Sequence, residues 1–337
     1  MPRRFVALTA LVGGIFLILS VSAGVSLGAV PIPLATVWGV VVNKLSPGWV
    51  EVAWSAGRES IVWDVRFPRV ILGALVGGGL ALTGAVLQPL TRNPLADPHL
   101  LGVSSGAAFG AILALLHLGM FLGVLTVPVM AFGGALLATA LVPAVAVATR
   151  SMQADRLVLS GVAVAFIFTA LGNLLVFLGD PRAANSVVFW MLGGLGLAQW
   201  EHLWIPAAVL FIALCCLVPQ ARQLNALAMG DETAATLGIN VPLLRFSLFL
   251  VTALLTGVMV AFSGAIGFVG LMVPHVVRMM FGSDNAVVLP LSALTGALLL
   301  IWADLAARLV MAPEDLPIGV VTGLVGGIAF IAIMRRA

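Results

Sequence analysis

The chain has 337 residues, of which 62% are hydrophobic and only 9% charged, with a formal net charge of +3. A soluble domain carries about 25% charged residues, so the composition excludes a soluble enzyme and describes a polytopic membrane protein. So small a net charge gives no ground for a nucleic-acid partner.

A spanning helix needs about 20 mostly apolar residues, rising about 1.5 Å each, to cross about 30 Å of hydrocarbon. By that measure the sequence predicts ten spans, at 5–29, 67–90, 99–116, 121–148, 157–179, 203–219, 243–262, 264–281, 286–309 and 316–334. The expected fold is all-α, a single transmembrane domain over 1–337. The first run follows Met1-Pro2-Arg3-Arg4 and exceeds the core of a signal peptide, about 7–15 residues, so it is read as an uncleaved anchor. The stretch 185–200 (NSVVFWMLGGLGLAQW) is apolar but short and broken by glycine. It is expected to lie at the interface, with Trp190 and Trp200 at headgroup level.

Ten spans put both termini on one side. With that side cytoplasmic, six of the 16 Lys and Arg fall outside (Lys44, Arg58, Arg66, Arg69, Arg182 and Arg308) and the other ten inside, as the positive-inside rule requires. Arg66, Arg69 and Arg308 then stand as cations at the outer ends of the second and ninth spans. Asp304 and Arg308, four residues apart, can pair on one helix face. Leu82-Thr83-Gly84 in the second span echoes Leu255-Thr256-Gly257 in the seventh, a weak signal of a five-plus-five repeat.

A long polar break runs over 218–245 (VPQARQLNALAMGDETAATLGINVPLLR). It reads as two short helices. The first, over about 222–229, stops at Gly230. Asp231 can cap the second, and Glu232 suits its first turn. Gly238 then stands where a left-handed C-terminal cap belongs, followed by Ile239 as its apolar contact. Helices this short need a surface to lie on, either the rest of the protein or a partner.

Chemistry is read by elimination. A Walker A motif needs a lysine, and the only lysine, Lys44, has the wrong neighbours. The chain therefore carries no nucleotide site of its own. There is no HExxH motif, and His99, His117, His202 and His275 are scattered. Cys215 and Cys216 are adjacent inside an apolar run, without metal spacing. Charges lie almost wholly at span ends, so the relay of a proton-driven carrier is missing. Glycines are dense in three spans: Gly77, Gly78, Gly79 and Gly84 in the second, Gly102 and Gly106 in the third, Gly264, Gly267 and Gly270 in the eighth. Small residues let membrane helices approach closely.

Several stretches together resemble the FecCD-type permeases of bacterial ABC importers, which carry iron–siderophore chelates, haem or cobalamin. They are Arg66-Phe67-Pro68-Arg69 leading into a Gly-rich span, Gly84-Ala85-Val86-Leu87-Gln88, Asn93-Pro94-Leu95-Ala96-Asp97-Pro98, GAIGFVGLMVPHVVR over 264–278, Ala303-Asp304 with Arg308, and Glu314 to Gly319. The loop ALAMGDETAATLGI matches as well. Where family members often have Gly-x-Pro-x-Phe, this chain has Gly326-Gly327-Ile328-Ala329-Phe330.

The resemblance implies a homodimer in the bacterial inner membrane, with a path along the subunit interface lined by the fifth and tenth spans. Their polar residues are Ser160, Thr169, Asn173 and Thr322. It implies two separate ATPase subunits that bind ATP and Mg and dock on Met229, Gly230, Asp231, Glu232, Ala234, Ala235, Leu237 and Gly238, the two alanines facing a tight contact. A periplasmic binding protein would meet Arg66, Arg69 and Arg308. Asn93 and Leu95, with Ala154 and Asp155 in the loop 149–156, are candidates for the inner gate. The chain itself would hold no cofactor or metal. An iron chelate or haem is the first expectation for cargo and cobalamin the alternative. A secondary transporter, working without nucleotide, and a lipid-acting membrane enzyme, which would need clustered acids or histidines, are the rivals.

Overall fold

The computed structural model describes residues 3–98, 102–148 and 154–334. Among them every regular element is helical. The first half contains α1 (Arg3–Ser26), α2 (Leu34–Leu45), α3 (Ala56–Ser60), α4 (Phe67–Thr91), α5 (Val103–Leu113), α6 (Thr126–Ala148) and α7 (Ala154–Leu178). Then come α8 (Ala184–Met191), α9 (Trp200–Leu217), α10 (Ala221–Ala228), α11 (Asp231–Thr236), α12 (Val241–Ser263), α13 (Val269–Phe281), α14 (Asn285–Val310) and α15 (Ile318–Met334).

A helix stands at each of the ten expected spans. Six stretches are long and apolar enough to cross a membrane: Ala56–Thr91, Gly123–Ala146, Arg156–Leu178, Trp200–Ala228, Val241–Ser263 and Asn285–Val310. The first, third, eighth and tenth expected spans are met by shorter apolar helices. Backbone breaks explain two of these. The third span starts late because Gly102 adopts φ +76° ahead of α5, and the eighth because Gly264 and Phe268 both sit at φ +68°. The second span is longer than expected. α3 runs through a π-helical stretch, Ile61–Arg66, into α4 without a break. Over 185–199 only α8 is helical, and Gly193 at φ +76° turns the chain away before α9 starts at Trp200. α2, entered through Pro33 at its N-cap, answers to no expected span.

α4 is the centre of the molecule. In its most apolar stretch 83% of residues are buried, and α14, α12, α13, α9 and α1 all pack on it. Its glycines make this possible. A Cβ on Gly77 would land on the carbonyl oxygen of Gly296 in α14, and one on Gly84 on that of Gly270 in α13. A side chain at either would hold the backbones apart, and in lipid close backbone approach replaces the hydrophobic effect as the drive for association. α6 with α12, and α5 with α6 and α7, complete the second cluster of helices. Deep between α4 and α12, Thr256 donates to Thr83 Oγ1 at 3.3 Å.

Candidate docking surfaces and gate

The two ends of α14 carry two polar clusters. At its C-terminal end the three arginines expected on the outer surface come together, and none is a free cation. Arg66, buried, donates to the carbonyls of Val25 at 2.9 Å, Ser26 at 3.1 Å and Val30 at 2.6 Å. Arg308, also buried, donates to Gly24 at 2.8 Å and Leu27 at 3.2 Å. These are the last carbonyls of α1 and the turn after it, which no helical N–H reaches. Two guanidinium groups at that negative helix end satisfy both the hydrogen bonds and the dipole.

The third arginine is bound differently. Asp304, 1% exposed, accepts from Arg308 Nε at 3.0 Å and from Arg69 Nε at 2.9 Å. The i,i+4 pair foreseen from sequence is present, inside a network. Arg69 Nη1 reaches outward to Asp315, 49% exposed, in the turn between α14 and α15. Sequence reading missed Asp315 as a partner, although Glu314-Asp315 stood in a quoted motif, because it lies 246 residues from Arg69.

At the N-terminal end of α14, Asp284 caps the helix, accepting from Ala286 N at 3.0 Å. It also accepts from Asn225 Nδ2 of α10 at 2.9 Å, and Asn225 Oδ1 takes both the backbone N–H and the amide of Asn285, at 2.9 and 2.8 Å. The Asn225 amide and the Ala286 N–H hold the Asp284 carboxyl below its ordinary range. Arg245, at the start of α12, pairs with Asp231 of α11 at 2.8 Å. The two short helices are therefore fastened to α14 and α12.

α10 and α11 form as expected, but Gly230 (φ +125°), not Asp231, is the N-cap of α11, and the Asp231 carboxylate pairs with Arg245. Gly238 adopts φ +79°, Ile239 N donates to Ala234 O at 3.2 Å, and the Ile239 side chain packs on the core. The alanines separate: Ala234 is 0% exposed and packs inward, while Ala235 faces out. This corrects the expectation that both face a partner. Met229, at 73%, and Leu237, at 67%, are exposed beside Glu232 and Gly238. Two large apolar side chains thus stand bared on a polar segment.

The loop after α4 is tightly set. Arg92 takes a left-handed φ of 50°, and Asn93 Oδ1 accepts from Leu95 N at 2.9 Å, leaving the Leu95 side chain exposed. Arg278 of α13 holds the end of α4 through Gln88 and, at 3.0 Å, the carbonyl of Ala85. Residues 149–153 and the side chains of Ala154 and Asp155 lie outside the described residues. On the helices expected to line the path, Ser160 and Thr322 are buried within this chain, whereas Thr169 and Asn173 are exposed on α7.

Residues 15–336 match the model of the FecCD transport family. The chain belongs to that family. It is a permease subunit of an ABC importer and a multi-pass protein of the inner membrane. It is 40% identical over 312 residues to the vitamin B12 import system permease protein BtuC of Salmonella typhi, covering 90% of this chain and 92% of that one. The BtuC protein of Salmonella newport matches equally, 40% over 312 residues. A solved inward-facing structure of a transporter assigned to the metal-chelate ABC type superposes with TM-score 0.82 at 28% identity, over 98% of this chain and 99% of that one. PsaBC from Streptococcus pneumoniae, in complex with Fab, shares the fold at TM-score 0.54 and 18% identity, over 79% of this chain and 90% of that one.

Proposed function

We propose that this FecCD family member is the membrane channel of a vitamin B12 importer. The observation that carries this reading is the 40% identity, over 90% of the chain, to permeases named for vitamin B12 import. It displaces the iron chelate expected first, which now rests on the more distant metal-chelate neighbour at 28% identity. Two copies of the chain form the path, with Thr169 and Asn173 of α7 facing it. Two ATPase subunits, binding ATP and Mg, dock on Met229, Glu232, Ala235, Leu237 and Gly238. The inner gate is the Asn93–Leu95 turn with the start of α7. A periplasmic binding protein docks at the opposite end, where Arg69 is the arginine within reach of a partner's carboxylate. The two halves of the chain are five-helix repeats. The Thr83–Thr256 hydrogen bond joins their echoed triplets across the core and supports that reading.

The test is uptake in proteoliposomes containing the permease, its ATPase and its binding protein. Cyanocobalamin is expected to enter only with ATP, and ferric siderophore or haem is not. ATP-driven entry of a ferric siderophore without cyanocobalamin would return the cargo to the iron class.

A further inference from the structure

Resting on the docking role given to Arg69, we infer that Asp315 is a built-in stand-in for the docking partner's carboxylate. It occupies Arg69 until the partner displaces it. Each donor group in the cluster points to this. Arg66 and Arg308 are buried and held by carbonyls of the α1 end, so neither can turn outward without stripping that helix of its cap. Arg69 is pinned from below, its Nε on the buried Asp304. That bond fixes the plane of the guanidinium and aims Nη1 at the surface. The group on Nη1 is Asp315, half exposed and carried on a turn. Its neighbour Leu316 is tied to Ala307 O at 3.0 Å, and Glu314 N to Met311 O at 3.0 Å.

The planar fork of arginine holds a carboxylate in the same geometry whichever chain supplies it. Asp315 thus has the chemistry of the incoming acid, and its half-exposed side chain can rotate off Nη1 while the turn stays tied. The Asp315 side of this pair is open to solvent, which weakens it, so a partner's carboxylate can replace it at small loss. While in place it lowers affinity by competing, and it also keeps the cluster close to neutral against stray anions.

The experiment measures the affinity of the binding protein that stimulates the complex's ATPase activity, for the permease–ATPase complex in nanodiscs at low salt. The variants are Asp315→Asn, the same change with Glu314→Gln to prevent substitution by the neighbouring acid, and Arg69→Lys. Expected are about threefold to fivefold tighter binding for Asp315→Asn, from removal of a competitor of this strength, and weaker binding for Arg69→Lys. If Arg69→Lys weakens binding while Asp315→Asn leaves it unchanged or weakens it, the stand-in is overturned and the docking role survives. If Arg69→Lys has no effect, the docking role falls and takes the stand-in with it.

Discussion

At the scale of single residues, proximity along the chain decided what could be read. Asp304 and Arg308 are four apart, and their pairing follows from helix geometry alone. Arg69 and Asp304 are separated by 235 residues, and no local rule brings them together. Ala234 and Ala235 show a subtler limit. Both are small and adjacent, and only the packing of α11 against the core assigns one inward and one outward. A prediction separates them. Ala234→Asp buries an unpaired charge at a fully enclosed position, a mechanism that costs about 4 kcal/mol or more, and is expected to lower the yield of folded protein. Ala235→Asp is expected to fold with an unchanged melting temperature but to lose copurification with the ATPase. Size-exclusion profiles and pull-downs on both variants check this. A folded Ala235→Asp protein that retains its ATPase removes α11 from the docking surface.

At the scale of elements, hydropathy placed a helix at each expected position, six of them in stretches long enough to span, but set several ends wrongly. The stretch that ends in α4 begins with α3 at Ala56, and the charges of Asp64 and Arg66 hid that from a window seeking apolar runs. α2 was passed over because its 12 residues fall short of a span. The element of greatest consequence is α14, because it joins the two polar clusters. Asp284 and Asp304 stand 20 residues apart on it, about 30 Å at helical rise. Asn225 is the fastening between α14 and α10. Asn225→Ala removes three hydrogen bonds and leaves buried Asn285 without partners for two of its donors, a local loss of about 1–3 kcal/mol. Hydrogen exchange in α10 is expected to accelerate accordingly while the middle of α4 is unaffected. The Asp284 bond adds a pH dependence. Its carboxyl is held below the ordinary value of about 4, so its stabilisation is complete above that value and is lost as pH falls through the lower, folded one. Protection of α10 should stay flat from neutral pH to about 4 and drop below it. A drop already complete at pH 5 would assign the fastening to another group.

At the scale of the whole molecule, composition was sufficient for the membrane class, but a single chain leaves one surface unexplained. In α7, as in the stretch that contains α9, only 22% of the most apolar stretch is buried, and it is α7 that carries a polar amide there. Phe166, Ala170, Asn173 and Phe177 are exposed at spacings that place them on one face, with Thr169 beside them. Aromatic and aliphatic groups there suit lipid, but Asn173 does not, since an amide in hydrocarbon without a partner costs several kcal/mol. A second copy, or a polar path between copies, removes that cost. The expected assembly is two permeases with two ATPases, and the permease alone is expected to show no ATP hydrolysis for want of a P-loop lysine. Asn173→Cys tests the surface directly, in a Cys215→Ala, Cys216→Ala background because both native thiols are exposed. A short bis-maleimide should join two permeases through this position in the assembled complex, giving a band of twice the chain mass. Reaction instead with a lipid-soluble maleimide, with no crosslinked band and a native mass of one permease, would put α7 against lipid and remove it from the path.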